Sequence, residues 1–374
     1  MRLSIVIPCL NEAKTVAAVV AEARQGLDAC GARLAWSEIV VSDNGSTDGS
    51  RELAERAGAR VVACPVRGYG AALHWGIARA GGDHVLFADA DRSYDFTLIP
   101  RYVEAAAGRD TDLVLGSRLA GEILPGAMPF LNRHLGTPVL NAVIRLCFGF
   151  RTSDCNSGMR MVHRDFYRSL NMRCPGMEWA SELLIKTAIR KGRYAEIPIR
   201  LRPDARGRPP HMRRWRDGWR HLKSIVMLAP NVTVLAPAAV LALAGGGIFR
   251  YHPVAALAAV WFAYTGLLVG VGIKLVLHVD RLRPSRLIET LLRSRVAEIG
   301  MVAAVASIAA GIALLASVEG TTAVFAGALL LSAAGVTALG VFYWETVRTH
   351  LVSDLEAAWI DTSPVSESAA APTR

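Results

Sequence analysis

Charge is scarce in this sequence. Only 20% of its 374 residues are Asp, Glu, Lys or Arg, while 52% are hydrophobic and the mean hydropathy is +0.31. A chain of this length would ordinarily make two soluble domains, and this one is too apolar for that. Cysteine is missing from the second half altogether, and the six in the first half (Cys9, Cys30, Cys64, Cys147, Cys155, Cys174) include no CxxC pair. That argues against a disulfide framework or a zinc site and fits a reducing compartment. A signal peptide is also absent. Arg2 is followed only by a short apolar run ending at Pro8, so the N-terminal half is expected to stay in the cytoplasm. Acids are outnumbered, 32 against 42 Lys and Arg, and the net charge of +10 calls for acidic partners: phosphates, anionic lipid or nucleic acid. Nucleic acid is the poorest of these, because the arginines cluster beside an apolar stretch without interleaved aromatics for base stacking.

What is there divides near residue 224. Residues 225–249, 253–273, 299–318 and 320–344 carry no charged side chain, and each could cross ~30 Å of hydrocarbon at about 1.5 Å per residue. Four such stretches in succession predict a four-helix membrane domain over 225–347, rich in Gly and Ala and so closely packed rather than pore-like. The domain is expected to serve as an anchor and an oligomer interface. Arg213, Arg214, Arg216, Arg220 and Lys223 precede the first stretch, and Lys274, Arg281, Arg283, Arg286, Arg293 and Arg295 lie between the second and third. The positive-inside rule then places the N-terminal domain, the middle loop and the C-terminus (348–374, disordered after about Thr362) in the cytoplasm of an inner or plasma membrane. Between the halves, Met212, Trp215, Trp219 and Leu222 fall at helical spacing among arginines. This predicts an amphipathic interfacial helix over 211–224 whose rings lie in the headgroup layer.

Residues 1–210 alternate β-rich runs (3–8, 38–43, 60–64, 84–88, 112–116) with helical segments (about 12–30, 48–58, 70–80, 96–108). That spacing predicts an α/β domain with a mostly parallel sheet covered by helices on both faces. Ligands bind beyond the carboxyl ends of such strands. Those ends hold Asn11 and Glu12, Asp43 and Asn44, Arg67 to Gly70, Asp89 and Asp91, and Arg118. Any one could be only a cap or a turn residue; five successive strand ends on one edge point to a site. The strongest chemical signal is Asp89-Ala90-Asp91. Side chains at i and i+2 of an extended segment point the same way, and two carboxylates so aimed repel unless a cation lies between them. Oxygen ligands suit Mg2+ or Mn2+, ions that commonly grip substrate phosphates. With Asp43 and the Gly68-Tyr69-Gly70 turn, they suggest a nucleoside diphosphate as leaving group.

The ordered set IVIPCLNE (5–12), IVVSDNGSTDGS (39–50), GYGAAL (68–73), FADAD (87–91), GSR (116–118) and DCNSGMR (154–160) resembles the family 2 glycosyltransferases of GT-A fold. Within them it is most similar to the polyprenyl-phosphate glycosyltransferases, the dolichol-phosphate mannose or glucose synthase group. The resemblance covers roughly 3–224, and segments 176–192 and 202–222 share it. It implies that Pro8, Asn11, Glu12, Asp43 and Gly68 to Gly70 line the nucleotide site, with Asp43 receiving hydrogen bonds from base or ribose. It implies that Asp89, Ala90 and Asp91 form the metal-binding DxD, Asp91 being the more direct ligand of Mg2+ or Mn2+. It gives Arg118, Arg133, Arg206 and Arg208 to the acceptor phosphate and the donor diphosphate. Ser93 stands where the family often has Gln, leaving the third metal ligand open. Tyr69 stands where many relatives have Lys, which points to altered nucleobase contacts.

The implied reaction moves a hexose, from UDP-glucose or GDP-mannose, to a polyprenyl phosphate with inversion. A phosphate oxygen is already anionic near neutral pH, so positioning and charge suffice: Asp89, Asp91 and Arg118 would carry catalysis, and Asp154 and Glu178 are residual base candidates. Two rivals remain. His211-Met-Arg-Arg214-Trp215 mimics a QxxRW signature of processive polysaccharide synthases, but a hydroxyl acceptor needs a base and the apolar stretches lack a polar channel lining. A non-catalytic nucleotide-sugar-binding or lipid-carrier translocation protein would have no use for both DxD carboxylates.

Overall fold

The computed structural model describes residues 1–108, 111–207, 225, 228–248 and 253–279, with a few positions between 329 and 337. Arg208, the interfacial segment 211–224, the middle loop and the tail lie outside the described residues, as does nearly all of the third and fourth apolar stretches. The chain divides into two units, Met1–Ile288 and Glu289–Arg374, and the strands and helices described belong to the first.

Seven strands form one mixed sheet: β1 (Arg2–Cys9), β2 (Trp36–Asp43), β3 (Arg60–Ala63), β4 (His84–Phe87), β5 (Leu113–Ile123), β6 (Arg160–His163) and β7 (Tyr194–Leu201), in the order β3-β2-β1-β4-β6-β5-β7. The five expected strands are present. β1 to β4 are parallel, as the βα alternation requires. Unforeseen is β6, which runs antiparallel to both β4 and β5 and pairs its first residue, Arg160, with Phe87 at the C-terminal end of β4 and with Leu115 near the start of β5. The segment leading into β6 therefore arrives at the sheet edge where β4 finishes, while β5 runs on past it to Ile123. β7 was also unforeseen and runs parallel to β5, with an irregularity between Ser117 and Glu122.

The β1 run is buried along all but its first residue, as expected of a strand with helices on both faces. On one face α1 (Val16–Asp28) and α4 (Ile99–Ala107) bury Val16, Val20, Leu27, Ile99 and Tyr102 against Leu3, Ile5 and Ile7. On the other, α3 (Tyr69–Ala78) and α7 (Trp179–Ile189) bury Leu73, Ile77, Trp179 and Leu183 against Val6, Val40 and Phe87. Helices α2 (Ser50–Arg56), α5 (Thr137–Phe148) and α6 (Arg164–Ser169) complete the unit. Each fully buried Leu, Ile or Phe contributes about 1.5–3 kcal/mol of transfer free energy.

Beyond the sheet but within the same unit, α8 (Ala236–Ile248) and α9 (Pro253–Val279) form a close-packed apolar pair. Gly266 and Gly270 make the approach possible: a Cβ on Gly270 would lie 2.4 Å from Leu235 Cδ2, which matches the expected Gly and Ala packing. The pair is tied to the sheet unit by Ile225, fully buried in the α3/α7 core, and by Ile273, which packs on the same cluster. Among the described residues no helix is long and apolar enough to cross a membrane. α8 has 13 residues, short of the ~20 apolar residues a span needs. The four-helix membrane domain is thus not established by the fold.

Candidate active site

The site forms at the C-terminal edge of β1, β2 and β4, where the loops of the β1/β2 side first fasten to one another. Asn11, in the left-handed region at φ 57°, accepts a hydrogen bond from Thr47 N–H at 2.8 Å, and its own N–H donates to Ser46 Oγ at 2.9 Å. The Glu12 N–H donates to Ser50 Oγ at 2.8 Å. Asp43, 2% exposed, receives the N–H groups of Gly45 and Ser46 at 3.1 Å, and Arg51 approaches at 3.8 Å. This is an Asx-type turn, so the Asp43 carboxylate expected to meet base or ribose here holds its own loop. Asn44 donates to the Val66 carbonyl and accepts from Gly68 N–H, 2.6 and 2.8 Å away, fastening the β3–α3 turn to β2. Pro8 is buried within β1 opposite Ser42.

Gly68 and Gly70 are needed for close approach. Gly68 has φ 141°, and a Cβ there would lie 2.2 Å from the Pro175 carbonyl oxygen; on Gly70 it would lie 2.5 Å from that of Cys174. The segment 174–176 thus lies directly on the glycine turn, and Ala71 N–H donates to Pro175 O at 3.0 Å. Buried Glu182 holds that segment by accepting the N–H groups of Arg173 and Cys174 at 2.9 and 2.8 Å, and pairs with Lys186 at 2.7 Å. Tyr69, expected at the nucleobase, turns the other way and donates its hydroxyl to Asp89 Oδ1 at 2.9 Å.

Past β4, Ala88 and Ala90 are buried in the core, while Asp89 and Asp91 are close enough for each to feel the other's charge. Burial first, then the Asp91 carboxylate, push the Asp89 pKa up to about 6, against the opposing pull of Tyr69, Arg206 and Arg118. Asp91, 5% exposed, uses Oδ1 to accept both the N–H and the hydroxyl of Ser93, at 2.9 and 2.5 Å. Ser93 thereby orients Asp91. The other Asp91 oxygen, Oδ2, is paired with Arg206, which also lies 3.7 Å from Glu12 Oε1. Burial opposes the Arg206 charge, but Asp91 and Glu12 more than offset it and raise its pKa above the ordinary arginine value.

Arg206 is delivered by the segment after β7. Arg202 N–H donates to Ser93 O and Ala205 N–H to Asp91 O, both at 2.9 Å. The Arg202 guanidinium anchors the strap on Glu22 at 3.0 Å and Asp95 at 2.7 Å.

On the far side Arg118 forms a fork on Asp154, Nε to Oδ2 at 2.7 Å and Nη2 to Oδ1 at 2.8 Å, while its backbone N–H donates to Oδ2 at 2.9 Å. Burial disfavours the Arg118 charge, yet Tyr94 and Asp154 outweigh it and its pKa lies above the usual value. The fork spends the base candidate Asp154. Glu178 is spent differently: one oxygen accepts Gly176 N–H at 3.2 Å and the other is shut away from solvent. Gly158 closes the floor, since a Cβ there would lie 3.1 Å from Asp89 Oδ2, and its N–H donates to the buried Tyr94 hydroxyl. Arg133 is apart from this cluster, exposed in the turn Asn132–Gly136 before α5. Beside Arg118 an open cavity of about 590 Å³ runs between α5 and the ends of β5 and β7, lined by Leu119, Pro138, Asn141, Arg145, Arg151 and Glu196.

Arg160 gives no functional signal in the sequence and emerges only in the fold. It is 1% exposed, and its guanidinium is held by the carbonyls of Ser157, Ala180 and Cys155 at 2.9, 2.8 and 2.7 Å. Burial lowers its pKa. It ties the segment before β6 to α7, behind Tyr69 and Asp154.

A divalent cation fits Asp89 by charge, since that carboxylate is poorly compensated. At Asp91 the outer oxygen is already taken by Arg206. Among the described residues no group of three or more His, Cys, Asp or Glu surrounds a single point.

Residues 4–170 match the glycosyl transferase family 2. The chain belongs to that family. This family 2 chain is 35% identical over 235 residues to the low-salt glycan biosynthesis hexosyltransferase Agl6 of Haloferax volcanii, covering 63% of this chain and 55% of that protein, so it spans little more than half of that relative. A dolichyl-phosphate hexose transferase of the same organism is 29% identical over 211 residues, covering 54% and 84%. Among solved structures, glucosyl-3-phosphoglycerate synthase from Mycobacterium tuberculosis, in complex with phosphoglyceric acid, superposes with a TM-score of 0.50 at 25% identity, covering 61% and 80%. The seven-stranded α/β sheet is accordingly the GT-A-like fold of the family.

Proposed function

We propose that this family 2 enzyme transfers a hexose from a nucleoside diphosphate sugar to a polyprenyl phosphate at a membrane surface, inverting the anomeric carbon in one displacement. The observation that carries the reading is that neither base candidate stands open: one is paired and the other is shut in. Asp154 is bound on both oxygens by Arg118, and the Glu178 carboxylate is turned into the protein. Neither candidate is therefore open, among the described residues, to an acceptor that must lose a proton, whereas a phosphate monoester arrives already charged. The kinship with a dolichyl-phosphate hexose transferase and the net charge of +10 support the same acceptor class. The apolar helices α8 and α9 and the charge-free stretches after them support a membrane location.

In this reading Asp89 and Asp91 hold a Mg2+ or Mn2+ ion with the donor diphosphate. When bound, the ion neutralises charge that develops on the leaving group. The chain's own residues do the rest. Glu12 and the loops fastened by Asn11, Asp43 and Asn44 shape the nucleotide side. Tyr69 holds Asp89 in its ionised form by donating a hydrogen bond to it. Arg118, fixed by its fork on Asp154, presents the remaining face of its guanidinium to the acceptor phosphate, which enters past the cavity beside α5. Bringing two like-charged reactants together is then the main catalytic task, and rigidly held arginines are suited to it.

The test is a transfer assay: the full chain in membranes, polyprenyl phosphate, UDP-glucose and GDP-mannose in parallel, and mass detection of the lipid product. Glycosylated polyprenyl phosphate from one donor is the expected result. Transfer to a sugar hydroxyl with none to lipid phosphate would overturn the reading in favour of a polysaccharide synthase.

A further inference from the structure

We infer that Arg206 is a resident counter-cation that occupies the metal position on Asp91 and must be exchanged for the divalent ion before catalysis. The inference rests on the proposed metal role of Asp89 and Asp91.

Three observations carry it. The first is placement. Arg202 is clamped to Glu22 and Asp95, and two backbone hydrogen bonds run from the strap to Ser93 and Asp91. The tip of the strap therefore sets the Arg206 guanidinium on Asp91 Oδ2 and beside Glu12.

The second is charge. Asp91 and Glu12 share the Arg206 guanidinium, Asp89 stands two residues from Asp91 with no ion pair of its own among the described residues, and the Arg118 charge is already committed to Asp154. Arg206 alone among the described residues ion-pairs with Asp91, and one positive charge leaves the group short. A divalent ion on Asp89 and Asp91 would supply what one guanidinium does not, but Asp91 has no second open oxygen, since Oδ1 is held by Ser93.

The third is that Arg206 is incompletely satisfied where it is. Its Nε is buried and has no hydrogen-bond acceptor, with Asp204 no nearer than 3.9 Å. A buried N–H without an acceptor is costly, so this seat binds the guanidinium imperfectly. A planar fork with an unused donor suits a phosphate better.

Metal and Arg206 are accordingly competitors for one carboxylate oxygen. Entry of the ion with the nucleotide frees Arg206, and the freed guanidinium reaches the diphosphate that the ion brings. The strap is thereby loosened when the ion enters, so the Asp91 carboxylate stays neutralised while the cleft is empty.

The experiment follows Mn2+ alone, by the loss of its free electron paramagnetic resonance signal, in the full 374-residue chain and in Arg206→Gln, Arg206→Lys and Asp91→Asn. Competition predicts that Arg206→Gln binds Mn2+ about tenfold more tightly than the parent, a coupling of ordinary size. Arg206→Lys should stay near the parent. Mn2+ should also hasten tryptic cleavage of the Arg206–Gly207 bond in the parent, while Asp91→Asn is cleaved quickly with or without it. Unchanged or weaker Mn2+ binding by Arg206→Gln, with Asp91→Asn still abolishing it, would overturn the exchange and leave the metal site standing. Equal binding by the parent and Asp91→Asn would overturn both.

Discussion

The two sides of the cleft are built on different principles. On the β1/β2 side, polar residues are spent on backbone: Asn11, Asp43 and Asn44 each take or give main-chain hydrogen bonds that fix a loop. On the β4/β5 side, polar residues are spent on each other, as Tyr69 with Asp89, Arg206 with Asp91, and Arg118 with Asp154. The first side is a rigid frame that shapes a binding surface. The second is a set of balanced charges, in which altering one member changes the state of its neighbours. Frame residues should therefore act on donor affinity, and charge residues on turnover and on pH response.

The comparison is broken most severely at Asp91. Asp91→Ala should lower kcat for lipid glycosylation by about a thousandfold or more, since it removes charge stabilisation from the reacting centre; a rate within tenfold of the parent would contradict its role. Next comes Asp154→Ala, which leaves the Arg118 guanidinium, 12% exposed, without its partner. Breaking such a buried pair costs about 3–5 kcal/mol, to be read as a drop in the denaturant midpoint, and Asp154→Asn should recover part of it.

Tyr69→Phe probes the seam between the two sides. Its hydroxyl lowers the Asp89 pKa, so its loss raises that pKa further, and the acid limb of the rate profile should move above about 6. Activity at pH 6.5 should fall several-fold and recover by pH 8.5, which a merely structural defect would not do. The smallest expected effect runs the other way. Because the folded protein holds Asp89 at a raised pKa, its ionisation withdraws stability as pH rises through about 6. Asp89→Asn, though inactive, should unfold at a slightly higher temperature than the parent at pH 7.5, and the difference should vanish below pH 4.

Much of the frame is legible from hydrophobic runs. Strands β1 to β4 are short β-rich segments bounded by Gly, Asn and Asp, and the polar residues at their ends share one edge because parallel strands end together. β6 gives no such signal: four residues, RMVH, include an arginine that only the folded core explains. β7 is disguised by Pro198 and by the charges of half-buried Glu196 and exposed Arg200, natural for a strand at the sheet margin. The individual residues of the charged side are legible, their partners much less so. Asp89 and Asp91 announce a cation by their spacing, but nothing local tells that Arg206, 115 residues away, pairs with Asp91, or that Asp154 is consumed by Arg118. Tyr69 is hidden for a related reason, since its position in a glycine turn suggests the nucleotide whereas the turn geometry aims it at Asp89.

The reversed direction of β6 has a consequence for redesign. Because that strand begins where β4 finishes, residues 154–158 reach Asp89 from outside the βα units of the β1/β2 side. Transplanting that short stretch, with Arg118 as its matched companion, offers a way to retarget the acceptor while the donor half is left as it stands.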